Sequence, residues 1–456
     1  MHSQELDNEI QNEDYSARYY FLDKKRLIRR TYTLDIAIVA VLALAARLPW
    51  ALIVHASPSS DSYFYYLGAK SIAAGHGYEI LHHPTAFFPV GWPAFLAGLF
   101  LITGPSFIAV KVAVLVLWML TTALVYLLGR RLGGRSVGLA AGALVAVAPA
   151  LTVYAMRASS EHLFIPLLLT VCLLVVTTDG RTPSVRRAAL AGVFLGLAIL
   201  VRSTGILLPL VIPLWLLLRR PARESWRAAV TMSVVSVLVL TPWMARNAVV
   251  MHTLGLSTNG GYTIWIGAHP GASGGFDSGG KSWKIESVAT ETRQNSVLLR
   301  ESVHYVVHNP LDWLGLIPAK FEHLMIWQPG PLQDARDRQH GIDPRVGIYG
   351  RQLHGAEATL VNGSLHHQWL FEIWHYSYWI FGGLALVLAT RRRLPGASLA
   401  ALLVGFWIVF HVTLVHGEPR YMLGVTPLVA PALAWLLVAG ARRVMALAER
   451  IRADQA

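Results

Sequence analysis

The chain has 456 residues, of which 54% are hydrophobic and only 14% charged, whereas soluble domains carry roughly a quarter charged residues. This excludes an ordinary soluble protein and predicts repeated insertion into a bilayer. The formal charge of +13 does not indicate a nucleic-acid partner, because 22 of the 39 Lys and Arg residues fall in short clusters beside apolar runs, the pattern of cytoplasmic loops.

Residues 1–33 are polar and read as a cytoplasmic N-terminal segment. The run Leu34–Val54 has the about 20 residues that a crossing requires. It is too long and too late for a cleaved signal, so it is expected to stay as an anchor. It opens into a polar outer loop, 55–86, where Tyr63, Tyr66, Leu67 and Lys70 recur at helical spacing. Asp61 stands at the start of that helix, as an N-cap, as a general base at the membrane surface, or as both.

The next run, Phe87–Ile102, is expected to lie in the interface or re-enter, since a full crossing would put the Arg130-Arg131 cluster, at the end of Phe107–Leu128, on the wrong side. Further crossings are predicted at Val137–Val153, His162–Thr177, Ala188–Val201, Gly205–Leu218 and Ala228–Trp243, closing an N-terminal core of 34–243. Residues 244–368 form the largest extracytoplasmic segment. It holds a Gly-rich run, Gly271–Gly280, a polar helix over Ser287–His304 and an interfacial helix over Leu311–Trp327. Spans at Trp369–Leu388, Leu399–Val415 and Met422–Ala439 make up 369–440, and a cytoplasmic tail covers 441–456. The expectation is ten spans, with two more allowed for, and both termini in the cytoplasm.

Charges that interrupt apolar sequence are costly and mark cavities or partners. Glu161, in Tyr154-Ala155-Met156-Arg157-Ala158-Ser159-Ser160-Glu161-His162, falls on the same face as Asp61 by this topology. Two carboxylates facing one cleft suit acid/base work or a divalent ion, and Glu161 equally suits the first turn of a helix. The cations at membrane depth or on the outer side are Arg47, Lys111, Arg157, Arg202, Arg246 and Arg420. Arg246 and Arg420 stand at outer helix ends, where a guanidinium can grip a phosphate. The histidines, including the pairs His82-His83 and His366-His367, lack zinc-ligand spacing, and no phosphate-binding glycine loop precedes a helix. Cys172 is the single cysteine and lies within an apolar run, so no intrachain disulfide forms.

Several segments, in order, resemble the GT-C superfamily of lipid-dependent glycosyltransferases, in particular the bacterial group related to protein O-mannosyltransferases and the lipid A aminoarabinose transferase. They are the first loop with Asp61, Phe87-Phe88-Pro89-Val90-Gly91-Trp92-Pro93, Ser160-Glu161, Leu200-Val201-Arg202-Ser203-Thr204-Gly205, Pro242-Trp243-Met244-Ala245-Arg246-Asn247, Ser257-Thr258-Asn259-Gly260-Gly261 and Arg420-Tyr421. The resemblance implies an all-α polytopic membrane protein with a transmembrane core of about 10–12 helices and interfacial helices in the first loop. It implies a bacterial inner-membrane enzyme that moves a sugar, with inversion, from a polyprenyl-phosphate donor to a lipid, glycan or protein hydroxyl on the extracytoplasmic side.

Asp61 matches the family's catalytic acid and Glu161 a second acid, for the acceptor or an ion. Arg246, Arg420, Arg202 and Arg157 are the candidates for the donor phosphate, and Tyr63, His82, His83, Asn247 and Tyr421 for the cleft wall. No cofactor is required, though a divalent ion is allowed for. Ser62 replaces the Glu that follows the acid in the protein mannosyltransferases, and the Phe-Phe-Pro segment lacks the Lys of the aminoarabinose transferases. The competing reading is a transporter or flippase for a lipid-linked or anionic solute, which would place its polar residues at midplane on broken helices. A scaffold with a partner-binding outer segment is the third.

Overall fold

The computed structural model describes residues 30–54, 61–155, 157–282, 286–327 and 355–455. The predicted basic cluster Lys24–Arg30 lies, up to Arg29, outside the described residues. These residues form helices and one two-stranded ladder. Helix α1 (Arg30–Ile53) is followed by α2 (Asp61–Ala73), a hairpin of β1 (Glu79–Ile80) and β2 (His83–Pro84), and α3 (Gly91–Thr103). Leu81 and His82 both take positive φ, 54° and 65°, which a tight two-residue hairpin turn requires.

Next come α4 (Phe107–Gly133), α5 (Arg135–Val147), α6 (Pro149–Tyr154), α7 (Glu161–Val175), α8 (Val185–Val201), α9 (Leu208–Arg219) and α10 (Arg223–Val250). Helices α11 (Gly260–Gly267), α12 (Val288–His308) and α13 (Pro310–Met325) fall in the predicted outer segment. The C-terminal part holds α14 (Gly355–His366), α15 (Gln368–Arg391), α16 (Ala397–Leu414), the short turn α17 (Pro419–Met422) and α18 (Thr426–Gln455).

Five of these helices, α1, α4, α10, α16 and α18, are long and apolar enough to cross a membrane, while Gly91–Thr103, Arg135–Val147, Glu161–Val175 and Ser203–Arg219 are apolar but shorter. Of the ten predicted spans, five fall on helices of crossing length and three, Val137–Val153, His162–Thr177 and Gly205–Leu218, on shorter apolar ones, while Ala188–Val201 and Trp369–Leu388 fall on α8 and α15. The predicted span Val137–Val153 is broken, because Pro149 cannot continue α5. Buried Arg47 on α1 crosses to the break and donates to the carbonyls of Ala146 (2.7 Å) and Val145 (3.2 Å), which the interrupted helix leaves without partners. Phe87–Ile102 likewise reduces to the 13-residue α3, about 20 Å long against the ~30 Å of a hydrocarbon core.

Helix α8 packs between α7 and α10. Gly192 and Gly196 allow this approach: a Cβ at Gly192 would meet the Met232 carbonyl at 2.6 Å, so backbones are in contact, as at membrane helix seams generally. Helix α18 closes the bundle against α4, α5 and α15. At one end of the bundle, Asp35 of α1, fully buried, accepts from Arg135 (2.8 Å), Arg130 (3.3 Å) and Tyr126 Oη (2.8 Å), fastening α1 to α4 and α5. That end collects the basic residues: α4 ends on Arg130 and Arg131, α9 on Arg219 and α15 on Arg391. The antiparallel run of the chain puts Asp61, Glu161, Arg202 and Arg420 at the other end.

Candidate active site

Three helix ends and one short turn meet at that other end around a cavity of about 760 Å³. Asp61 is the first residue of α2, and Glu161 the first of α7. Arg202 leaves the end of α8, just before a 3-10 turn, Ser203–Gly205. Arg420 sits on α17, two residues after Glu418. All five line the cavity, together with Arg157 and Tyr421. Trp92 on α3 holds the Arg157 connection in place, its indole N–H donating to the Ala158 carbonyl at 3.1 Å.

The charges are paired in a fixed order. Arg420 Nη1 donates to Asp61 Oδ2 at 2.7 Å, across 359 positions of sequence, while its Nε stands 2.7 Å from Glu418 Oε1. Glu418 Oε2 faces His416 Nε2 at 3.5 Å, and Tyr421 Oη lies 3.2 Å from the same nitrogen. On the other side of the cavity Arg202 Nη1 stands 2.5 Å from Glu161 Oε1 and donates to Ser160 Oγ at 3.3 Å. The Tyr421 ring lies between the arginines, 5.7 Å from Arg202 and 5.6 Å from Arg420.

Burial would raise the Glu418 carboxyl, but Arg420 and His416 beside it pull it down to about 2. Burial opposes the charge on Arg420, and Glu418 and Asp61 more than offset it, holding its pKa well above the usual value. Burial lowers Arg157 and raises Tyr421. Carboxylates and guanidinium groups are thus interleaved along the cavity wall. Among the described residues no three His, Cys, Asp or Glu side chains converge as a metal site.

Arg246 and Asn247 have another task. Arg246 donates to the carbonyls of Thr85 (2.9 Å) and Tyr78 (3.1 Å) and stacks 4.9 Å from the Trp243 ring. Buried Asn247 receives a hydrogen bond from Arg246 and donates to the Gly255 carbonyl at 2.8 Å. Both brace the wall from behind, and neither lines the cavity. Tyr63, His82 and His83 also fall outside the lining, the two histidines on the β1–β2 hairpin.

A further clasp comes from α12. The buried carboxylate of Glu291 accepts from Thr85 Oγ1 (2.7 Å), the Ala86 amide (3.0 Å) and Thr258 Oγ1. Thr258 N also donates to the Ala86 carbonyl at 2.8 Å. One acid thereby joins the loop before α3, the loop before α11 and the outer helix. Glu418 and Glu291 escaped the sequence reading as site residues. Glu418 had a signal, its place two residues from Arg420 across Pro419, and Glu291 had none.

These features define a multi-pass helical membrane protein with an ion-paired cavity at one end of its bundle. Residues 83–245 match the family model described as dolichyl-phosphate-mannose-protein mannosyltransferase. The matched segment carries Arg157, Glu161 and Arg202, while Asp61 and Arg420 lie outside it. No curated protein matches the chain. Among solved structures, an Archaeoglobus fulgidus oligosaccharyltransferase, AglB, in complex with an inhibitory peptide and a dolichol-phosphate, is 14% identical with a TM-score of 0.48, over 93% of this chain and 52% of that one. The protein ArnT from Cupriavidus metallidurans, bound to undecaprenyl phosphate, is 14% identical with a TM-score of 0.39, over 90% and 79%. The chain spans about half the length of the archaeal enzyme.

Proposed function

We propose that the protein is an inverting glycosyltransferase that moves a sugar from a polyprenyl-phosphate donor to an acceptor hydroxyl, at the membrane face opposite its basic clusters. By the positive-inside pattern that face is extracytoplasmic, and the membrane is the inner membrane of a bacterium. The observation that carries the reading is the meeting of Asp61 with Arg420 on the wall of one cavity, opposite Glu161 and Arg202. The match to a family named for a prenyl-phosphate sugar supports the donor class.

In this reaction the acceptor oxygen forms a bond to the anomeric carbon as the bond from that carbon to the phosphate oxygen breaks. The acceptor's proton passes to Asp61, and the departing pair of electrons stays on the polyprenyl phosphate. Negative charge grows on that phosphate, so fixed guanidinium groups at the site stabilise the transition state. Arg420, Arg202 and Arg157 line the cavity and take this role. Glu161, paired with Arg202, holds that cation in position. A prenyl chain needs apolar wall beside the charges, and Met244, Leu254, Leu256, Ile206 and Leu414 supply it. A divalent ion joining Asp61 to Glu161 would have to compete with the arginines already paired to them.

The test is sugar transfer by the purified chain, given a panel of polyprenyl-phosphate sugars with lipid, glycan and protein acceptors. Transfer by the parent protein, lost in a folded Asp61→Asn variant, is the expected result. Undiminished turnover in Asp61→Asn removes Asp61 as the base, and movement of a lipid-linked solute without transfer favours a flippase.

A further inference from the structure

Arg420 is shared by two carboxylates of unlike setting. Glu418 is two residues away on the same turn, and is itself faced by His416. Asp61 comes from the far end of the chain, at the start of α2, and its side chain keeps 30% of its exposure. The cavity wall carries three acids, Asp61, Glu161 and Glu418, interleaved with Arg157, Arg202 and Arg420. A cavity so balanced gives the incoming phosphodiester, a monoanion, no excess positive charge. A phosphate gains Arg420 fully only when one of the two carboxylates withdraws.

We infer that Arg420 changes partners during the reaction: the donor's phosphate displaces Asp61 from Arg420, while Glu418 keeps the guanidinium anchored. Asp61 is the one that leaves, because among the described residues its side chain is held by one hydrogen bond, from Arg420 on a separate element, whereas Glu418 is tethered to the same turn as Arg420. The consequence is an ordering device. The carboxylate needed as a base is tied up while the site is empty and is released by the arrival of the donor. Glu418 is a positioning residue in this scheme. The inference rests on the glycosyltransferase reading, and extends it to the order of events at the site.

The experiment measures binding of farnesyl phosphate to the purified full chain in detergent, with farnesol and inorganic phosphate as comparison ligands. If Asp61 competes with phosphate for Arg420, Asp61→Asn binds farnesyl phosphate roughly fivefold more tightly than the parent, the scale of a partly exposed ion pair. Glu418→Gln, which loosens the anchor, binds it more weakly, and Glu418→Asp recovers part of the loss. The two opposite signs distinguish competition and anchoring from a general loss of structure, which would weaken both. Should Asp61→Asn lower thermal stability, Asp61→Ser repeats the measurement with a smaller neutral side chain. Unchanged or weaker binding in the folded Asp61 variants overturns the exchange while leaving the glycosyltransferase reading standing. Tighter binding of inorganic phosphate alone, with farnesyl phosphate unaffected, also overturns it. No binding of farnesyl phosphate by the parent overturns both.

Discussion

Glu161 and Arg202 form an ion pair in which the acid is 4% exposed and the arginine 11%. Removing one member of a buried pair strands the other charge, at a cost of about 3–5 kcal/mol, whereas replacing both with neutral groups is far milder. Arg202→Met alone is therefore expected to lower the melting temperature in detergent sharply. The double variant Arg202→Met/Glu161→Gln should recover most of the loss while remaining inactive in transfer. Equal melting of the single and double variants would show that the charges are not coupled.

Two of the three hydrogen bonds received by Glu291 come from Thr85 and Ala86, more than 200 positions away from α12 in sequence, and the third comes from Thr258. Glu291→Ala leaves two threonine hydroxyls and a backbone amide without their acceptor, a loss on the order of 2–3 kcal/mol. The loops that it joins lead into Phe87, Phe88 and Ser257 on the cavity wall. Substrate affinity should fall more than turnover, seen as a rise in KM with a smaller change in kcat. A fall in kcat at constant KM would place Glu291 elsewhere in the mechanism.

Charges in apolar sequence are conspicuous, and that is why Glu161 and Arg202 were legible before any fold was known, whereas Asp61 and Arg420 stood out by their places at outer helix ends. The same physics misdirected Arg246. A guanidinium at a helix end is equally well placed for a phosphate or for backbone carbonyls, and only the fold shows that Tyr78 and Thr85 present theirs to it. The break in the predicted span Val137–Val153 was available in Pro149 but was outweighed by the unbroken apolar run around it. Glu291 lies in a helix dense with polar residues, and nothing local separates it from Glu301 or Arg300. Its burial depends on loops distant in sequence, so sequence pattern alone does not reach it.

Gly417 stands just before the Arg420 turn. Its amide donates to the Gly274 carbonyl at 2.8 Å, and a Cβ there would press into the Lys320 carbonyl and come within 2.7 Å of His323 Cβ. Backbone cannot yield as a side-chain tip does, so Gly417→Ala must push α13 and the turn apart, at a cost of about 1–3 kcal/mol. Because Glu418 and Arg420 follow directly, the variant is expected to bind farnesyl phosphate more weakly as well as to melt earlier. Parent-like values for both would mean that the turn accommodates the methyl without moving the site.

Lys320, on the same helix, is fully buried, and its Nζ makes no hydrogen bond among the described residues. Burial lowers its pKa from 10.5 to about 8. Between those values the unfolded chain holds a proton that the folded protein has released, so raising the pH through this window favours the folded state. Below about 8 both states are protonated, and the folded one bears the full cost of an unpaired buried ammonium group. Lys320→Met removes that group at similar length. At neutral pH the variant should be more stable than the parent by about 1–3 kcal/mol, with the difference shrinking as pH rises from 8 toward 10.5. Melting curves of both proteins across this range check the sign: a lysine that holds a stabilising ion pair would instead make the variant the weaker protein at neutral pH.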